Sequence, residues 1–200
     1  MRKLFVIPFL FFSLTTMAAC SEQDEPKPET EQPTTPDSPD NGKTLVVYFS
    51  AQGHTQAVAE RIVELTGADV CRIEAAEPYA VNPYDDSDRI QNEAYNDLRP
   101  GVANLPDAET IAQYDTIFIG SPCWWSTVAP PVATFLAAHD FTGKTLIPFM
   151  THEGSRMGRS EADIRRLCPG ATVRSGVPVR GSDAAQADRE IRQLVEAAGR

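Results

Sequence analysis

Residues 44–62 read TLVVYFSAQGHTQAVAERI, and the rest of the chain is organised around them. Leu45, Val46, Val47, Tyr48 and Phe49 form an unbroken apolar run, the pattern of a strand buried on both faces of a parallel sheet. After Thr55 the spacing becomes helical, with Val58, Ile62 and Leu65 on one stripe. Between them lies the loop Ser50, Ala51, Gln52, Gly53, His54, Thr55, rich in hydroxyls and amides. A strand, a tight polar loop and a helix start make a phosphate cradle, because free backbone N–H groups and the positive end of the helix dipole converge there. The loop is too short for the Walker pattern and no Lys follows its glycine; the dinucleotide GxGxxG spacing is absent as well.

The 200 residues allow one domain plus appendages. Arg2 and Lys3 precede an apolar run over residues 4–14, which ends at Met17, Ala18, Ala19 and Cys20. This predicts a signal peptide over 1–20, too short for a stable membrane span. Small residues before a cysteine resemble a bacterial lipoprotein cleavage site, with Met17 where Leu is commoner. That resemblance makes Cys20 the lipidated N-terminus of the mature chain and places the protein in the cell envelope, on the periplasmic or cell-surface side of a membrane. A plain secretory peptide is the alternative. Residues 21–42 are rich in Pro, Glu, Asp, Thr and Gln, cannot bury enough apolar surface to fold, and read as an extended tether.

Residues 43–200 suffice for one substantial core. The chain carries a formal charge of −10; seven acidic and three basic residues precede residue 43, which leaves −6 on the domain. Such a balance, with no Lys/Arg cluster interleaved with aromatics, argues against nucleic acid as a partner. With Cys20 set aside, Cys71, Cys123 and Cys168 remain, and an odd number leaves at least one free thiol in an exported protein. None has zinc-ligand spacing.

Along the chain, residues 69–75 read as a short edge strand. A long connection, 76–114, contains a helix starting near Asp85, Asp86 and Ser87, with Ile90, Ala94 and Leu98 on one face and Pro100 beyond its end. Residues 115–121 hold the central-strand run Ile117, Phe118, Ile119. Residues 122–127, Pro-Cys-Trp-Trp-Ser-Thr, are expected as a loop, followed by a helix with Pro130 and Pro131 in its first turn. A strand over 144–149 leads to the loop 151–158 and a helix through Leu167. Residues 172–179 form an edge strand carrying Pro178, and Ile191, Leu194, Val195 and Ala198 line the last helix. Gly67 is read as the glycine that ends the first helix. Five strands alternating with helices predict an α/β fold, a parallel sheet covered on both faces in three layers.

Ser50, Gly53 and Thr55 resemble the flavodoxin phosphate loop, Ser/Thr-x-Thr-Gly-x-Thr, which holds the 5′-phosphate of FMN; Gln52 replaces a hydroxyl residue and His54 the usual Asn. Pro122, Cys123, Trp124 and Trp125 followed by Pro130 look like the aromatic flavin loop of the bacterial flavodoxin-like branch. The segment from Tyr84–Asp85–Asp86 to Arg99–Pro100 looks like that branch too. The resemblance covers nearly all of 43–200 and implies strand order 2-1-3-4-5, with ligand beyond the carboxyl ends of the strands. It implies non-covalent FMN, with Trp124 and Trp125 at the isoalloxazine and Thr151, His152, Gly154 and Ser155 meeting its pyrimidine edge. Flavodoxins often add a stacking aromatic in the third loop. Residues 151–160 have none, so one flavin face is expected to be open.

His152 and Glu153 invite an acid–base role, and Cys123 a redox role, against the simpler readings of exposed loop residues and a small buried side chain. No catalytic residue is assigned. Three functions stay open: an electron carrier serving a redox partner protein, an FMN-dependent NAD(P)H:quinone reductase acting on a small acceptor, and a binding module without redox activity.

Overall fold

The computed structural model describes residues 42–199. The chain divides into Met1–Asp37 and Ser38–Arg200, and the described residues belong to the second unit. The expected signal peptide, Cys20 and nearly all of the tether lie outside them. Among the described residues no helix is long and apolar enough to cross a membrane.

The sheet is built on β1 (Thr44–Tyr48), which pairs in parallel with β2 (Asp69–Arg72) on one side and β3 (Thr116–Trp124) on the other. A two-residue strand β4 (Thr127–Val128) folds back on the end of β3. Next to β3 lies β5 (Thr145–His152), and β6 (Thr172–Val173) and β7 (Val177–Arg180) both pair with β5 in parallel. The seven-stranded sheet therefore runs β2-β1-β3-β5-β6, with β7 also on β5 and β4 on β3. Once the hairpin strand is set aside and β6 and β7 share the edge place, this matches the expected order 2-1-3-4-5.

Side chains alternate across β1, and this divides the core. Val46 and Tyr48, with Phe118, Ile147 and Phe149, pack against helices α1 (His54–Thr66) and α6 (Asp188–Ala198). Leu45 and Val47, with Ile117, Ile119 and Leu146, face the opposite layer. That layer contains α2 (Ser87–Tyr95), α4 (Pro130–Ala138) and α5 (Ser160–Leu167), which contribute Ile90, Phe135 and Ile164. A short helix α3 (Ala108–Ala112) sits in the long connection, capped by the Asp107 carboxylate, which accepts from the Thr110 N–H at 2.7 Å. Gly67 ends α1 at φ 67°, donating its N–H to the Val63 carbonyl.

Four expectations need correction. The fifth strand is interrupted: three residues separate Val173 from Val177, whereas only two separate their partners Leu146 and Phe149. One of those two is Pro148, which has no N–H to offer the ladder, so the edge strand bulges past it.

Residues 122–127 are not an open loop. β3 continues to Trp124 and turns into β4 through Trp125 and Ser126, at φ 48° and 63°. Two consecutive positive φ values match the twist of a two-residue hairpin, but Trp-Ser carries none of the usual Asn-Gly signal.

The helix after Asp86 stops at Tyr95 and never reaches Leu98. Asp97 takes φ 52° and the Leu98 N–H bonds the Glu93 carbonyl, a helix-ending motif in which Asp97 stands in glycine's usual place. Finally, β2 ends at Arg72, and Ala75 instead bridges Val102 in antiparallel fashion.

Candidate functional site

The segments after β1, β3 and β5 meet at the carboxyl end of the sheet around a cavity of about 360 Å³. The first is shaped by its own hydrogen bond: the Ser50 hydroxyl accepts from the Gly53 N–H at 3.1 Å. Gly53 sits at φ 88° immediately before α1, a conformation that costs glycine little. No side chain caps α1 among the described residues, so its first N–H groups are left for a ligand or water. Outside the loop, the Arg72 guanidinium donates to the Ser50 carbonyl at 3.4 Å and to Gln56 Oε1 at 3.3 Å.

The hairpin supplies the second wall, and its two tryptophans differ. Trp124 is only 9% exposed and belongs to the core, packed edge-on against Phe49 and Tyr79 at centroid distances of 5.5 and 5.1 Å. It belongs to no apolar stripe because hairpin pairing, not helical spacing, buries it. Trp125 is 37% exposed and leans on Tyr95 at 5.6 Å. Both border the cavity, with Pro122 and Cys123. Ser121 holds the next helix in place, its hydroxyl accepting from the Ala129 N–H at 2.8 Å. Burial pushes the Cys123 thiol up, only partly offset by Ser155 and Ser160, so it stays protonated near neutral pH. Burial also raises Cys71, and carries Cys168 up to about 12.

The third wall is the end of β5, since Thr151 and His152 lie in the strand rather than in a loop. The Thr151 hydroxyl meets the Thr55 hydroxyl at 2.7 Å, tying this wall to the first. His152 Nδ1 is buried without a hydrogen-bond partner among the described residues. Burial, then the charges of Arg156 and Arg180, hold its pKa below the usual 6.5. Glu153 Oε1 and the His54 ring converge over Gly181: a Cβ there would lie 2.3 Å from the carboxylate oxygen and 3.0 Å from His54 Cδ2. Gly154 and Ser155 complete this side, and a Cβ on Gly154 would meet nothing within 4 Å.

A family model described as Flavodoxin matches residues 43–197. The chain belongs to the flavodoxin family. Solved relatives include a protein assigned as a flavoprotein from Bacteroides eggerthii, 30% identical, covering 80% of this chain and 99% of that one at a TM-score of 0.69. A second, from Bacteroides uniformis, is 31% identical, covering 78% and 99% at 0.68. A flavoprotein from Lactobacillus acidophilus, solved in complex with FMN, is 25% identical, covering 74% and 98% at 0.56. Among curated proteins, an NAD(P)H dehydrogenase (quinone) of Cupriavidus metallidurans is 33% identical over 99 residues. That match spans 47% of this flavodoxin-family chain and 45% of the dehydrogenase.

Of the described residues singled out for the cofactor, Ser50, Gln52, His54, Thr55, Pro122, Cys123, Trp124, Trp125, Thr151, His152, Gly154 and Ser155 border the cavity; Gly53 shapes the loop without lining it. Sequence reasoning missed Tyr84. It is 73% exposed and reaches the cavity from a 3-10 turn, Pro83–Asp86, inside the long connection. Tyr84 thus adds aromatic surface to that of Trp124 and Trp125. Asn82 before Pro83 was the available signal: its side chain accepts from the Tyr84 N–H at 3.3 Å and starts the turn. Ser87, Ile90 and Gly181 also border the cavity without any signal in their local sequence. Among the described residues no group of three or more His, Cys, Asp or Glu could hold a metal ion.

Proposed function

We propose that this chain binds FMN non-covalently and carries electrons in the cell envelope, anchored to a membrane by a lipid on Cys20. The observation that carries the cofactor assignment is one cavity with two chemically distinct kinds of lining. An uncapped helix start with the Ser50–Gly53 hydrogen bond borders it, and so do the aromatic side chains Trp124, Trp125 and Tyr84. A ligand with a phosphate and a flat conjugated ring satisfies both. A volume of about 360 Å³ is in the range of small-ligand pockets.

Bound FMN would supply one- or two-electron redox chemistry through its isoalloxazine ring. The chain's residues bind and orient it. Ser50, Gln52, His54 and Thr55 would hold the phosphate, and Gly53 keeps their loop in shape. Trp124, fixed by Phe49 and Tyr79, gives a wall that cannot swing, while Trp125 and Tyr84 limit water at the mouth. His152, neutral near pH 7, adds no charge beside the ring.

A redox partner protein or a small electron acceptor, rather than nucleic acid, is the expected partner. The second reading, an FMN-dependent NAD(P)H:quinone reductase, is supported by the partial identity to the Cupriavidus dehydrogenase. A non-redox binding module on the same fold is the third. An absorption spectrum of the purified protein, before and after acid release, tests the cofactor: a flavin spectrum with FMN released is expected. A colourless protein that takes up no added FMN would leave only the third reading. Steady-state NAD(P)H oxidation with added quinone separates the first two.

A further inference from the structure

We propose that the groove beside the cavity is an anion subsite, in which Arg156 and Arg180 take the phosphate groups of a dinucleotide reductant whose ring reaches the flavin. The inference rests on the FMN reading for its second half only. The groove has a volume of about 580 Å³ and shares His152 with the main cavity, so one molecule can engage both.

Its charges are unevenly satisfied. Arg189 is occupied by Glu190 at 2.8 Å, and Asp183 accepts from its neighbour Ser182 at 2.9 Å. The guanidiniums of Arg156 and Arg180 have no ion pair or hydrogen bond among the described residues. Several other arginines of the domain find carboxylates: Arg61 lies 2.7 Å from Asp188, Arg89 lies 3.0 Å from Glu93, and Arg159 lies 2.9 Å from Asp163. Two unpaired guanidiniums flank one imidazole, and both disfavour its protonation. Glu153 opposes them only in part, and neither guanidinium is ion-paired to Asp183 or Glu190 on the groove wall, so a bound anion can take both.

The arrangement is also pre-set. Arg156 stands at φ 55°, uncommon for a non-glycine residue. Its loop is pinned to the hairpin: the Arg159 N–H bonds the Ser126 carbonyl at 2.7 Å, and Ser155 donates to the Cys123 carbonyl at 3.4 Å. Gly158 lies so close to Ser126 that a Cβ would fall 2.3 Å from its carbonyl oxygen. Guanidinium forks favour phosphate oxygens, two at a time. A dinucleotide carries a redox ring and a diphosphate on one molecule, which suits a groove that shares His152 with the proposed flavin cavity.

The test is an NMR titration of His152 in the FMN-loaded and ligand-free protein with inorganic pyrophosphate and with NADP⁺. The native protein is compared with Arg156→Gln, Arg180→Gln and the double variant. Pyrophosphate should raise the His152 titration midpoint, and the double variant should raise it without ligand. Affinity for both probes should fall about tenfold or more in the double variant, with NADP⁺ binding the native protein more tightly than pyrophosphate. Equal binding of the probes to native and double-variant protein would overturn the subsite. Pyrophosphate binding without NADP⁺ binding would overturn the dinucleotide assignment. A loss of FMN affinity in the double variant would assign the arginines to the FMN phosphate instead. If the protein takes no FMN, the cofactor reading fails separately, while the pyrophosphate titration of the ligand-free protein still decides the subsite.

Discussion

The hydroxyls of Thr55 and Thr151 lie 2.7 Å apart, buried, and join the start of α1 to the end of β5. The bond fixes the distance between the first and third walls of the cavity. Thr151→Val would leave the Thr55 hydroxyl buried without its partner, at a cost of about 1–3 kcal/mol. Thr55→Val should behave alike, and the double variant should cost less than the sum of the two. Urea unfolding of all four ligand-free proteins measures this; strict additivity would mean the hydroxyls do not interact.

Gly53 acts through the backbone. A Cβ there would touch nothing within 4 Å, so the cost of Gly53→Ala is the positive φ, about 1–2 kcal/mol if the loop keeps its shape. Relaxation of the loop would instead misdirect the N–H groups and appear as lost FMN affinity. Asn tolerates this conformation better than Ala, so Gly53→Asn should retain more affinity. Riboflavin, lacking the phosphate, should bind the native protein far more weakly than FMN and should discriminate less among the variants. Fluorescence titration of both flavins tests this, and equal affinities in the native protein would remove the phosphate site.

The two tryptophans should separate. Trp124→Ala removes a core side chain and should destabilise by about 3–5 kcal/mol. Trp125→Ala should leave stability nearly unchanged and weaken FMN by about 0.5–1.5 kcal/mol, the scale of an aromatic pairing. It should also raise the potential for reduction to the anionic hydroquinone, because an electron-rich ring beside the flavin is gone. Thermal melts, flavin titrations and potentiometry distinguish these outcomes; a Trp125 variant unchanged in affinity and potential would remove that side chain from the site.

His152 makes stability depend on pH. Its folded pKa lies below 6.5, so in the window beneath 6.5 the unfolded chain binds the proton more readily. Stability is therefore full above 6.5 and declines as pH falls through 6.5 towards the folded pKa. His152→Gln should flatten that part of the profile. Denaturant midpoints from pH 8 to 5 for the two ligand-free proteins provide the comparison, and parallel profiles would contradict it.

The anchor rests on Cys20 alone. Cys20→Ser should abolish lipid labelling and release the protein from membranes. A variant that still labels and still sediments with membranes would exclude lipidation at that position.

The sequence by itself determined the layered fold and the site's first loop. Apolar runs in β1, β3 and β5 and helical stripes in α1 and α4 are local patterns, and burial follows from them directly. Ser50, Gly53 and Thr55 are close in sequence, so their loop was readable too. Only the tertiary structure decided which groups meet across distance. Pro148 breaks the edge strand because it lies opposite Gly176, near enough that a Gly176 Cβ would sit 2.2 Å from its carbonyl oxygen. Trp124 is core because β4 folds back on β3 and sets it against Phe49 and Tyr79. Tyr84 joins the cavity from a turn that lies outside any apolar period, and Arg156 and Arg180 come together only because β7 pairs with β5. Periodicity reports which side of an element is buried, whereas a site depends on which elements lie side by side, and that is set by packing of the whole chain.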